Sequence, residues 1–435
     1  MSTTPDTDVA TTESQFTTKD RPTWDLYSRC IHCGLCLNQC PTYRVLGREA
    51  DSPRGRIYQV LLVDEGRLKL ADEVVTHIDR CLGCLACQTA CPSGVQYGKI
   101  LERARTEIET NYQRSWLAEK LRKYFYGSVL HRFDKLASVA KLVRFYQRSG
   151  MQTLARSSGL LKLMGTQELD ALSPRIDDDF FFREIGNVYP AVGERRGRVA
   201  FLAGCVASVA FAELNRATIR VLTRNGVEVV VSPGQTCCGA LHAHGGYLEK
   251  ARELARKNID AMMADGIDAI VTNAAGCGAM MKDYGELLEH DAEYQEKARR
   301  FAAQVRDVNE YLAEIGLRAP KKKIAGRVTY QDPCHLAHGQ GVRSAPRELL
   351  KAAGLELVEM ERADDCCGSA GTYNVTQNEL SMKILDAKME NVAAVEPEIV
   401  ATANVGCMLQ LRAGLERKKM KARVMHVIEV LDEIY

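Results

Sequence analysis

Residues 30–41 read CIHCGLCLNQCP, and residues 81–92 read CLGCLACQTACP. Both follow the spacing Cys-x2-Cys-x2-Cys-x3-Cys-Pro, with Cys30, Cys33, Cys36 and Cys40 in one comb and Cys81, Cys84, Cys87 and Cys91 in the other. The x2 steps let three sulfurs of a tight loop converge on one point. The x3 step opens a helical turn that carries the fourth sulfur away. Ligation of an iron–sulfur cube by four thiolates is the chemistry that such spacing serves. A zinc ribbon also uses Cys-x2-Cys pairs, but without a third cysteine two residues on and a Cys-Pro close behind. Disulfides need an oxidising compartment, and the start MSTTPDTDVATTESQ has neither a basic n-region nor an apolar h-region.

The doubled run resembles the one that wraps two [4Fe-4S] cubes in bacterial two-cluster ferredoxins, where the last cysteine of each comb ligates the other cube. The resemblance implies that Cys30, Cys33, Cys36 and Cys91 hold one cluster, and that Cys81, Cys84, Cys87 and Cys40 hold the second. Arg54 and Arg56, between the combs, are expected to offset the negative charge of reduced clusters.

At 435 residues the chain has room for about three domains. Its net charge of +2 offers nucleic acid no attracting field. No apolar run approaches the roughly 20 residues needed to span a bilayer, so any membrane contact is expected to be peripheral. Residues 1–20, rich in Thr, Ser and Asp, are expected to be disordered.

The other eight cysteines reveal a second repeat. Cys205, Cys237, Cys238 and Cys277 recur as Cys334, Cys366, Cys367 and Cys407, at offsets of 129, 129, 129 and 130 residues. Their flanks recur as well. RVAFLAGC, the helix AELNRATIRVLTRNG, the strand VEVVVS and CCG are answered by RVTYQDPC, APRELLKAAG, LELVEM and CCG. Each copy continues into a helix, a strand (DAIVTN; EIVATA) and its last cysteine. Short apolar runs alternating with amphipathic helices predict parallel βαβ units. Every one of these cysteines then falls beyond a strand end, where open α/β sheets place their sites.

The expected class is α+β and multidomain. A disordered tail (1–20) leads into a mostly helical two-cluster ferredoxin-like domain (21–110) and a helical connector (111–195). A duplicated α/β pair of CCG domains follows (196–320 and 321–435). Their mouths are expected to face each other across a cleft lined by Cys237, Cys238, Cys366 and Cys367. Gly239 and Gly368 would let backbone approach there without a Cβ in the way.

Two copies of Cys-x31-CCG, each followed about forty residues on by a cysteine, resemble the CCG domains of heterodisulfide reductase. With the double comb and the stretch SPRGRIYQVLL, the whole layout is similar to the iron-sulfur subunits of glycolate oxidase. Anaerobic glycerol-3-phosphate dehydrogenase anchor subunits and lactate-utilisation proteins have related layouts. The resemblance implies an electron-transfer subunit of a flavin-dependent 2-hydroxy-acid oxidase that converts glycolate to glyoxylate. Its partners would be FAD-binding oxidase subunits and a quinone or other acceptor. Its place would be the cytoplasm, at the cytoplasmic face of the inner membrane. Lactate or glycerol 3-phosphate as substrate, or thiol–disulfide chemistry at the CCG pairs, are the alternatives. Reductases with a non-cubane cluster carry a fifth cysteine three residues before the last; Ala274 and Asn404 stand there instead. The eight CCG cysteines are therefore candidates for a third cluster or for redox thiols.

No GxGxxG opens a helix after a strand, and there is no P-loop. A cube moves one electron, whereas 2-hydroxy-acid oxidation releases two, so a flavin must split the pair. FAD is expected on a partner chain only, and no residue of this chain is expected to be catalytic. His242, His244, His335 and His338 are read as loop histidines satisfied by backbone, since no spacing fixes them as ligands. In HRFDKLASVAKLVRFYQRSG, Phe133, Leu136, Ala140 and Val143 share a helix face that is expected to pack on protein rather than on membrane.

Overall fold

The computed structural model describes residues 13–435. The combs lie in an all-helical unit in which helices Pro53–Asp64, Asp72–Asp79 and Tyr97–Asn111 enclose Val60, Val63, Ile78, Ile100 and Ile108. Cys40 is the N-cap of helix Pro41–Leu46, so its proline sits in the first turn, where a missing N–H costs nothing. Ser52 caps Pro53–Asp64, its Oγ accepting from the Gly55 N–H at 3.0 Å.

The expected disorder of residues 1–20 does not extend over residues 14–20. Phe16 is buried in the helical core, and the Thr17 and Thr18 N–H groups donate to the Glu107 carboxylate at 2.8 and 3.0 Å. Asp20 pairs with Arg252 at 2.5 Å. One aromatic side chain with a buried carboxylate to receive its backbone outweighs the polar composition around it. Residues 1–12 lie outside the described residues.

The duplicated part forms two sheets. Strands β1 (Val188–Tyr189), β2 (Gly197–Phe201), β3 (Val227–Val230), β4 (Ala269–Thr272) and β5 (Val305–Asp307) make the first. Strands β6 (Arg327–Tyr330), β7 (Glu356–Leu357), β8 (Ile399–Thr402) and β9 (Arg423–His426) make the second. The order β3-β2-β4-β5 matches β7-β6-β8-β9, and these eight strands are parallel. β1 departs from the all-helical reading of the connector. It pairs antiparallel with β3, Val188 opposite Val230, and so covers an otherwise open sheet edge.

Helix Ala212–Arg224 of the first lobe packs on Val427–Ile434 of the second, and Ser344–Ala352 of the second packs on Val308–Ile315 of the first. That exchange is the pseudo-twofold implied by the repeat. In the connector, Leu136 and Ala140 are buried, with Phe133 and Val143 packed beside them on the first-lobe core. The predicted face thus packs within the chain. No helix among the described residues is long and apolar enough to cross a membrane.

A buried histidine pins the lobes together. His426 Nδ1 accepts from the Ile428 N–H at 3.1 Å, capping the last helix, and its Nε2–H donates to the Asn273 carbonyl at 3.1 Å. Burial pushes its pKa down to about 4, from an ordinary value near 6.5. The folded value lies below the unfolded one, so the stability His426 contributes is complete above about pH 6.5 and is lost as pH falls towards 4. His426→Ala is predicted to cost about 2 kcal/mol at pH 7.5. At pH 5 the deficit in thermal midpoint relative to wild type should be smaller, because only the wild type loses the histidine contribution.

Candidate metal centres

Each comb turns through two left-handed residues that flank its second cysteine. Around Cys33 they are His32 (φ 55°) and Gly34 (φ 85°); around Cys84 they are Gly83 (φ 64°) and Leu85 (φ 64°). Only one position in each pair is glycine, so His32 and Leu85 hold a conformation costing roughly 1–2 kcal/mol. Both loops make the same left-handed turn around the same cysteine, with the strained residue before it in the first comb and after it in the second, which marks the turn as a requirement of the site.

Burial divides the eight comb cysteines, and the division crosses the combs. Cys40, Cys81, Cys84 and Cys87 are buried; Cys30, Cys36 and Cys91 are half-buried, and Cys33 is exposed. Cys40 thus shares the surroundings of the second comb, whereas Cys91 is half-buried like Cys30 and Cys36. The four buried thiols line one enclosed pocket, with Arg56 and Tyr97 beside them. Burial raises the pKa of Cys84 and Cys87, and neighbouring thiols add to the effect. In the first comb, burial pushes Cys36 up to about 11. Thiols so reluctant to ionise need a strong cation to hold them as thiolates, and iron supplies it.

The polar groups around the pocket suit an anionic occupant. Arg56 is 1% exposed. Its Nε–H donates to the His77 carbonyl at 2.7 Å, and Nη2 to Thr42 Oγ1 at 3.1 Å and Asp51 Oδ1 at 3.4 Å. Its Nη1 lies 4.0 Å from Cys40 Sγ. The Tyr97 hydroxyl and the Gly83 N–H both donate to Cys81 Sγ at 3.4 Å. Hydrogen bonds to cluster sulfurs are among the levers that set a cluster's potential. Arg54 does something else: it pairs with Glu49 at 2.7 Å and donates to the His32 carbonyl at 2.9 Å, clamping the first loop.

Each CCG lobe gathers its own four cysteines. Cys205 and Cys237 sulfurs stand 3.6 Å apart, and Cys238 touches both Cys237 and Cys277. In the second lobe the contacts run Cys334–Cys366, Cys366–Cys367 and Cys367–Cys407. Each lobe thus gathers its own quartet of thiols, and each CCG turn lies close against a helix that follows it. Gly239 (φ 88°) would place a Cβ 3.2 Å from Ala251 Cα, and Gly368 (φ 92°) one 2.6 Å from the Ser381 carbonyl oxygen.

The two lobes differ in their neighbours. Cys334 and Cys366 share a small apolar cluster with Leu82, Cys84 and Ala86 of the second comb. Tyr373 O–H donates to the Arg80 carbonyl at 3.0 Å, Arg362 donates to the Asn38 carbonyl at 2.9 Å, and Arg44 pairs with Asp365. The helical unit is thereby held against the second-lobe thiols. Sequence reasoning missed this junction, and contacts across some 250 to 320 residues leave no local signal for it.

The histidines divide too. His242 Nε2 bonds the Tyr126 carbonyl at 2.9 Å while its buried Nδ1 has no partner among the described residues, and burial pushes its pKa down to about 4. His338 lies 3.4 Å from the Asp364 carbonyl and 3.1 Å from Thr89 Oγ1. His244 pairs with Glu102 at 2.8 Å, and His335 Nδ1 lies 3.5 Å from Cys334 Sγ, so neither fits the backbone reading.

Comparison with known families agrees with this geometry. Residues 27–95 match the 4Fe-4S dicluster domain, and residues 199–282 and 328–412 match the cysteine-rich CCG domain. Residues 112–173 match the linker region of the glycolate oxidase iron-sulfur subunit. Fold and sites together define an electron-transfer subunit of an oxidoreductase that carries [4Fe-4S] clusters. The chain is 40% identical to the probable glycolate oxidase iron-sulfur subunit of Bacillus subtilis (strain 168), over 93% of each chain. It is 34% identical to the glycolate oxidase iron-sulfur subunit of Escherichia coli (strain K12), again over 93% of each. Over 54% of its length it is 31% identical to lactate utilization protein A of Geobacillus sp. (strain WCH70), covering 99% of that protein. The chain belongs to the glycolate oxidase iron-sulfur subunit family.

Two outcomes follow from the burial pattern. Cys40→Ser should abolish the same EPR signal as Cys87→Ser, and spare the one lost in Cys30→Ser and Cys91→Ser. Losses grouped by comb would contradict the crossed sorting. Arg56→Met removes one buried cation from the group around Asp51 and leaves Arg80 and His77 as its remaining partners, so it should destabilise the helical unit by about 2–3 kcal/mol, read as a lower thermal midpoint.

Proposed function

We propose that this chain carries electrons from the FAD-binding subunits of a glycolate dehydrogenase to a quinone or other acceptor at the cytoplasmic face of the inner membrane. In this reading Cys30, Cys33, Cys36 and Cys91 hold one [4Fe-4S] cluster, and Cys40, Cys81, Cys84 and Cys87 hold the second. Cys334, Cys366, Cys367 and Cys407 are the place of a third redox centre. A bound cube supplies one-electron storage.

The observation that carries the reading is the spatial order of the thiols. Cys33 brings the first group to the surface, the second group is buried, and Cys84 shares one apolar cluster with Cys334 and Cys366 of the second lobe. A surface group suits an approaching partner cofactor, and a dry interior group protects against loss of electrons to solvent species. Arg56, Tyr97 and Gly83 hold donors towards the buried group.

The test uses anaerobically purified full-length protein. Glycolate should bleach the cluster absorbance only when the flavin-binding partner subunits are added, and the isolated chain should contain no flavin. Bleaching by lactate or glycerol 3-phosphate but not glycolate would replace the substrate. Stoichiometric flavin in the isolated chain, or reduction of a disulfide by that chain alone, would overturn the reading.

A further inference from the structure

The connector carries a second apolar surface, distinct from the face that packs on the first lobe. Of the eighteen large apolar side chains exposed among the described residues, eleven lie between Trp116 and Met164. They stand at helical spacing. Leu117, Leu121 and Tyr124 line the exposed side of helix Trp116–Tyr124, and Val139, Leu142 and Phe145 that of Phe133–Arg148. Leu142 is 70% exposed and Phe145 62%, values that packing within the chain does not account for.

The same segment is strongly basic. Residues 112–164 contain eleven Lys and Arg against two acidic residues, Glu119 and Asp134, although the whole chain has a net charge of only +2. Several arginines are engaged by carboxylates or carbonyls of the chain, as Arg114 and Arg122 are by Glu109. Lys120, Lys135 and Lys141 form no ion pair among the described residues, and Lys120 lies over the Trp116 ring at 4.6 Å. Exposed Trp, Tyr, Phe and Leu interleaved with free lysines match an anionic lipid interface, where apolar side chains enter the acyl boundary and cations meet headgroups. A protein partner matches less well, since lysine is depleted at the centres of protein interfaces.

We infer that the exposed face of helices Trp116–Tyr124 and Phe133–Arg148 docks this protein onto a bilayer surface containing anionic phospholipid. The two helices lie in the interface rather than across it. The inference deepens the membrane-face reading above but rests on this face alone, so its failure leaves the electron-transfer reading standing.

The test is co-sedimentation of the cluster-loaded full chain with vesicles of phosphatidylglycerol and phosphatidylcholine, and with phosphatidylcholine alone. Three proteins are compared: wild type, Leu142→Gln/Phe145→Gln and Lys135→Glu/Lys141→Glu. These side chains are at or near the surface, so iron content should be unchanged, which separates lost docking from lost folding. Wild type should bind the anionic vesicles, with affinity falling as salt rises. Each double variant should weaken binding at least about tenfold. Absence of binding to anionic vesicles would overturn the inference, as would binding indifferent to both variants. It would also fall if the variants abolished capture of the flavin-binding subunits while vesicle binding never occurred, since the face would then belong to a protein partner.

Discussion

Arg56 is a guanidinium with almost no access to water, 4.0 Å from the sulfur of Cys40 and on the wall of a pocket lined by three further thiols. Burying a cation is costly unless it is paired and hydrogen-bonded. Here Asp51 supplies the partner, and the His77 carbonyl and the Thr42 hydroxyl take up further N–H groups. Asp51 also receives His77 Nδ1 at 2.9 Å and Arg80 at 3.4 Å. Helix Pro53–Asp64, helix Asp72–Asp79 and the loop that ends in Cys40 are therefore tied together around one positive charge. A dry site for four thiolates needs such a charge. The packing of the helical unit is arranged to keep it in place.

The parts legible in the sequence were those written in local spacing. The combs, the 129-residue period and the alternation of short apolar runs with amphipathic helices located the metal-binding unit and both sheets. Cys40 lies buried beside the second comb, the direction in which the x3 step aims it. What could not be read depended on distant partners. Phe16 docks because Glu107 waits for the Thr17 and Thr18 amides, and β1 forms because β3 offers a free edge. Leu142 and Phe145 look like ordinary helix residues until the opposite face is seen to satisfy the core.

The duplication left two lobes with one topology and different roles. Among the described residues, only the second lobe shares an apolar cluster with the comb cysteines, through Leu82, Cys84 and Ala86. In the first, Tyr284 donates to the Cys238 carbonyl at 2.8 Å and Asn258 to the Cys237 carbonyl at 3.0 Å, a fully buried arrangement with structural hydrogen bonds on both cysteines. A repeat that began with equivalent copies has thus become asymmetric through what docks against it. The same holds for the connector, which seals one face of the first lobe and leaves the other face basic and apolar.

The most direct measurement is iron and acid-labile sulfide per chain, on full-length protein purified without oxygen. Two cubes in the helical unit predict about eight irons and eight sulfides, rising to about twelve of each if the second-lobe thiols are also filled. About four irons per chain, or two zinc ions in their place, would contradict the account.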